Sequence, residues 1–188
     1  MLISSDTNIW LDFSYIGKIE HPFLLDNSYY LSSIVYHDEI DDSVTFSNSI
    51  SNTKRFAEIR KCVKENKILI TDVTAKELKL AIEYENYYRT PKITKAIPLQ
   101  DSIALAIAKE RNWILLTGDS GLREAAKIEG VVCHGTLWIY DELINKHLIS
   151  NNEYLTAMNL LLNAVIDKKR FLPTSEIIKR IEFIKTKF

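Results

Sequence analysis

Four carboxylates stand at positions from which they could do chemistry together: Asp6, Glu39, Asp101 and Asp119. Asp6 follows a short apolar start, and Asp119 follows the apolar run Trp113–Leu116 inside Thr117-Gly118-Asp119-Ser120-Gly121. Asp101 opens an Ala-rich stretch, and Glu39 lies about two helical turns beyond Ser33. Taken singly, each has an ordinary reading. Asp6 and Asp101 suit helix caps, Asp119 suits a turn, and Glu39 suits a solvated helix face. Taken together they have a different one. Two like charges about 5 Å apart cost roughly 3 kcal/mol at an effective dielectric near 20. Acids gathered in one pocket therefore call for a cation or a bound proton. Oxygen donors without His or Cys suit Mg²⁺ or Mn²⁺. Such an ion activates water and stabilises in-line displacement at phosphorus.

Positioning these groups requires alternating elements. Met1–Ser5, Tyr29–Ser32, Lys67–Ile70, Trp113–Leu116 and Val131–Cys133 read as strands. Helices are expected after Asp6, from Ser33 toward Glu39, over Lys54–Asn66, from Asp72 or Thr74 to about Tyr88, over Asp101–Arg111 and over Leu122–Glu129. The stretch Ile103–Ala108 is apolar on nearly every side, so its helix must be buried. The polar segment Asp41–Thr53 reads as a loop. Strands alternating with helices predict an α/β fold, a parallel sheet covered on both sides in three layers, α/β/α. In such sheets ligands bind beyond the carboxyl ends of the strands, where Asp6 and Asp119 fall. From Thr136 the pattern is helical only: Thr136–Lys146, Asn152–Val165 and Ser175–Lys187.

The chain has 188 residues, 46% hydrophobic and 26% charged, which fits one soluble domain. A formal net charge of −1 neither announces nor excludes a nucleic-acid partner, because an acidic metal site and basic residues elsewhere cancel in the sum. The two cysteines, Cys62 and Cys133, form no disulfide framework or zinc spacing, which fits a reducing, cytoplasmic setting. The N-terminus lacks a signal-peptide pattern, and no apolar stretch is long enough for a bilayer, so no membrane association is expected.

Several other features have competing readings. Arg123 and Lys127, one turn apart after Asp119, could touch RNA phosphates or form a solvated face. The basic run Lys168-Lys169-Arg170, with Lys179, Arg180, Lys185 and Lys187, divides the same way. His37, His134 and His147 lack zinc spacing, and the pairs of tyrosines suit a core or an interface. Glu77 in Thr74-Ala75-Lys76-Glu77 reads as a capping box. No P-loop, dinucleotide loop or Gly-x-Ser-x-Gly elbow is present.

The order Ser-Asp-Thr-Asn (5–8), Ser-Ile-Val-Tyr-His-Asp-Glu-Ile (33–40), Leu-Gln-Asp-Ser-Ile-Ala-Leu-Ala-Ile-Ala (99–108) and Leu-Leu-Thr-Gly-Asp-Ser-Gly-Leu-Arg (115–123) resembles PIN-domain nucleases, most closely the VapC-type toxins of toxin–antitoxin pairs. The resemblance covers about residues 1–140 and is most specific around Asp101 and Asp119. It implies a PIN-like nuclease domain at 1–140, with 141–188 a C-terminal helical extension packed on the same domain. Asp6, Glu39, Asp101 and Asp119 match the family's catalytic and metal-binding acids. Asn8 matches the residue that helps orient the first Asp, and Thr117 the hydroxyl beside the last, with Ser120 assisting. Whether Asp38 or Glu39 faces the site stays open, because the spacing of Val35, Tyr36 and Ile40 fits both. Cleavage of single-stranded or structured RNA such as tRNA with Mg²⁺ or Mn²⁺, a homodimer and an antitoxin partner are what the resemblance implies. Two alternatives stand beside the toxin: an RNA-maturation nuclease of the same chemistry, and a non-catalytic module whose acidic groove holds a basic peptide.

Overall fold

The computed structural model describes residues 1–41, 50–88 and 96–186, with the backbone alone for 50–53. Five strands form one sheet: β1 (Leu2–Ser5), β2 (Ser28–Ser32), β3 (Ile68–Thr71), β4 (Ile114–Leu116) and β5 (Cys133–His134). All neighbours pair parallel, in the order β3-β2-β1-β4-β5. The chain builds outward from β1 in one direction, then returns to its other side with β4. The strand order therefore reverses between β1 and β4, the place where open parallel sheets bind ligands. The register there is Ile3 with Ile114, Ser4 with Leu115 and Ser5 with Leu116. The Asp6 amide extends it by donating to the Leu116 carbonyl at 3.1 Å.

Side chains alternate across each strand, which divides the core in two. On one face α4 (Ala75–Tyr88), α5 (Leu99–Arg111) and α6 (Ser120–Ile128) cover Leu115. On the other, α1 (Thr7–Tyr15), α3 (Ile50–Lys64), α7 (Thr136–Asn145), α8 (Asn151–Ile166) and α9 (Thr174–Lys185) cover Ile3, Tyr29, Leu31 and Leu116. The C-terminal helices thus share a core with the first strand. Helix α5 is buried at every position from Ser102 to Ala108. Its small residues let it lie close on β1, where the Ser4 hydroxyl donates to the Ala104 carbonyl at 3.0 Å.

Two local features depart from the sequence expectations. Helix α3 begins at Ile50 rather than Lys54, because Ser51, Asn52 and Thr53 carry no apolar period to read. The rest of the expected loop, 42–49, lies outside the described residues. After Ser32 caps a single turn, α2 (Ser33–Val35), the chain widens into a π-helical segment over Tyr36–Asp41. Wide turns of this kind occur often at functional sites. Here Arg60 of α3 steadies the segment by donating to the Ile40 carbonyl at 2.6 Å.

Glu77 is the structural residue its motif suggests. It accepts from the Thr74 amide and hydroxyl and from Arg111 through both carboxylate oxygens, at 2.6 and 2.9 Å. Arg111 also donates to Thr71 and Asp72, so one guanidinium ties the end of α5 to the β3–α4 junction.

Candidate active site

Asp6 and Asp119 flank the reversal point, and each caps the helix that follows it. Oδ1 of Asp6 accepts from the Ile9 amide at 3.0 Å, and Oδ1 of Asp119 accepts from the Leu122 amide at 2.9 Å. The capping reading is thus correct for both, and it serves the site by fixing each carboxylate at a strand end. Thr117 joins them. Its hydroxyl donates to Oδ2 of Asp6 in a short bond and accepts from the Asp119 amide at 3.0 Å. Thr117 is fully buried, so this bridge is shielded from water.

Asp6 is 4% exposed. Burial pushes its carboxyl up from 3.8 to about 7, with Asp12 and Glu39 adding to the rise and Thr117 and the Ile9 amide opposing it. Glu39 is half-buried within electrostatic reach of Asp6, while Asp38 beside it is exposed. That settles which acid turns inward. The π-helical winding, which no spacing rule anticipates, sets the register. Burial raises the Glu39 carboxyl too, Asp38 adds to the rise, and the nearby Thr7 hydroxyl pulls it down. Thr7 is itself buried, and its hydroxyl finds no partner within hydrogen-bonding geometry among the described residues.

Asp101 is not the cap of α5, since Pro98 takes that position. It sits in the first turn, where the helix dipole favours an acid. Three residues on, Ala104 accepts from Ser4, which places this turn beside the strand that carries Asp6.

The supporting residues divide. Thr117 bridges the Asp6 carboxylate and the Asp119 amide. Ser120 is exposed at the first position of α6. Asn8 is exposed, and its carbonyl accepts from Arg170 at 2.8 Å. Arg123 turns its Nε back to the Thr117 carbonyl at 3.3 Å, whereas Lys127 points outward one turn later.

Sequence reasoning missed Asp12 and its partner. Asp12 is 2% exposed on α1 and accepts from Arg170 Nε and from the Thr136 hydroxyl, each at 2.5 Å. Desolvation still leaves its carboxyl raised, against the pull of Arg170. A charged residue set among Trp10, Leu11 and Phe13 was the available signal, because an acid on a buried face needs a partner. The partner lies 158 residues away, beyond any local pattern. Arg170, expected on a basic surface, is thus turned inward.

The donors fit a hard cation in type, since every candidate ligand is oxygen. A buried acid raised to about 7, with the Glu39 carboxyl raised beside it, is a setting a cation would satisfy. Among the described residues, however, no three His, Cys, Asp or Glu side chains stand close enough to form a finished metal site. Mutual repulsion holds carboxylates apart without a cation, and ligand closure is coupled to binding.

The family model described as a PIN domain, DUF3368, matches residues 2–185. The chain belongs to the PIN-domain family. That match runs through the C-terminal helices, and the family is one of nucleases. No curated protein matches the sequence. Among solved structures, the PIN-domain chain is similar in fold to VapBC2 from Rickettsia felis bound to a DNA fragment from their promoter. The TM-score is 0.51 and the identity 18%, over 72% of this chain and 98% of that one. Lower similarity is found to FitAB bound to an IR36 DNA fragment, with TM-score 0.47 and 20% identity over 72% and 95% of the two chains. VapBC-1 from nontypeable Haemophilus influenzae gives 0.48 and 16% over 73% and 99%. No helix among the described residues is long and apolar enough to cross a membrane.

Proposed function

We propose that this PIN-domain chain is an endoribonuclease dependent on Mg²⁺ or Mn²⁺, and the toxin of a type II toxin–antitoxin pair. One observation carries the reading. A buried acid, Asp6, is joined through Thr117 to the backbone of Asp119 at the reversal point of the sheet, with its carboxyl raised to about 7. Such an acid is costly to the fold and suits a bound cation.

Asp6, Glu39, Asp101 and Asp119 would hold the ion, which supplies water activation and charge neutralisation at phosphorus. The protein's own part is positional. The caps aim Asp6 and Asp119, the Thr117 hydroxyl donates to Asp6 Oδ2 and so orients that carboxylate, and the buried wall of α5 keeps one side dry. Partial exposure of Glu39, Asp101 and Asp119 at this edge of strand ends and helix starts supports an approach by single-stranded RNA. The likeness of the Asp101 and Asp119 blocks to VapC-type toxins supports an antitoxin partner and a homodimer.

The test is cleavage of tRNA or unstructured RNA by the purified chain with Mn²⁺, beside Asp6→Asn and Asp101→Asn. Wild type should cut and both variants should not. Equal products from all three would remove the proposal. Growth arrest on expression, relieved by a neighbouring gene, separates a toxin from an RNA-maturation nuclease. The open spacing of the acids favours a second reading, a groove that holds a basic peptide. Calorimetry with Mn²⁺ decides between them, since that reading requires no divalent-ion affinity.

A further inference from the structure

Behind the Thr117–Gly118 turn lies a cavity of about 210 Å³, lined among others by Arg123, Gly135, Trp138 and Phe171. Thr117, which bridges Asp6 and the Asp119 amide, therefore also forms part of this cavity's wall. Phe171 is 86% exposed, although large aromatic side chains are usually well covered. Its neighbours are held. Arg170 is paired with buried Asp12 and with Asn8, Leu172 packs against the core, and Pro173 starts α9. The Phe171 ring is thus uncovered yet carried on an anchored backbone. On the far side Trp138 stacks on His134, with ring centres 4.2 Å apart and planes 8° from parallel.

The cavity's charge is equally specific. Arg180 is engaged by Asp141 and Glu176. Arg123 has no acidic partner among the described residues, and its Nε is held by the Thr117 carbonyl. Its guanidinium fits because residue 135 is glycine; a Cβ there would come within 2.7 Å of Arg123 Nη2. An anchored cation and an anchored exposed ring are the two elements that bind a nucleotide without reading its sequence: phosphate on the cation, base on the ring.

We propose that this cavity is a nucleotide subsite for single-stranded RNA, in which Phe171 stacks a base flanking the scissile phosphate and Arg123 holds an adjacent phosphate. The proposal rests on the nuclease reading and assigns the C-terminal helices a place in substrate binding.

The experiment measures binding rather than cleavage, so it fails or succeeds apart from that reading. A fluorescent single-stranded oligoribonucleotide is titrated by anisotropy into the full chain carrying Asp101→Asn. Adding Phe171→Ala should weaken binding at least about fivefold. Phe171→Trp should bind like the parent, and Arg123→Gln should weaken binding and lower the salt slope by about one. Because Phe171 is exposed, melting temperatures should not change. Unaltered affinity in Phe171→Ala overturns the proposal. So does a variant with unaltered affinity whose sedimentation shows a lost oligomer, which would make Phe171 a contact between copies of the chain.

Discussion

Glu77 and Asp6 are nearly equally buried, at 3% and 4% exposure, and opposite in every other respect. Glu77 is finished. Arg111 meets both of its oxygens, Thr74 supplies two more donors, and its carboxyl is held below the usual range, chiefly by Arg111. Among the described residues Asp6 receives only an amide and a hydroxyl, and its neighbours Asp12 and Glu39 repel it. A buried charge that serves the fold is neutralised within the chain; one left short of donors is waiting for something outside it.

The largest effect should come from breaking the unfinished side. Asp6→Asn should lower RNA cleavage by about 10³-fold or more, the scale of losing a group that stabilises the transition state. The same variant should melt no lower than wild type without metal, because it removes a charge the fold does not neutralise. Glu77→Gln should do the reverse, costing about 2–3 kcal/mol of stability in urea titrations, because the partly buried Arg111 keeps Thr71 and Asp72 but loses its charged partner. If both variants were destabilised alike, the contrast between the two acids would be lost.

Titration sharpens the comparison. A carboxyl raised in the folded state favours folding while protonated. Its contribution is complete below about 3.8, its unfolded value, and is lost as pH rises through about 7. The metal-free protein should therefore lose about 2–4 kcal/mol from Asp6 between these limits. Mn²⁺ at a hundredfold excess over its dissociation constant should return about 2.7 kcal/mol. Denaturant titration at pH 4.5 and 7.5, with and without Mn²⁺, reads both. The smallest effect belongs to Thr117→Val. Losing its hydrogen bond should cost about 1–2 kcal/mol and move the acidic limb of the activity profile to higher pH, because Thr117 holds the Asp6 carboxyl down.

How much of this was legible depended on how local each determinant is. Asp6 and Asp119 could be found because each follows an apolar strand and precedes a helix, so one short window holds both the cap and the strand end. The buried helix around Asp101 announced itself through Ile103–Ala108. Glu39 could not be told from Asp38, because a helical wheel assumes α winding and the segment is π-helical. Asp12 and Arg170 were invisible as a pair. The exposed ring of Phe171 was invisible for the same reason, since its setting depends on what Arg170 grips.

The Asp12–Arg170 bond has a consequence for how the protein is made. Synthesis proceeds from the N-terminus, so α1 leaves the ribosome long before the arginine that neutralises its buried charge. Until then that helix carries an uncompensated carboxylate, and the acid-bearing end of the sheet lacks one of its fastenings. A nascent chain stalled before residue 170 should be cut within α1 by added protease, and one stalled well beyond it should resist. Such a chain would settle the acid-bearing end of its sheet only once the segment that carries Arg170 has emerged.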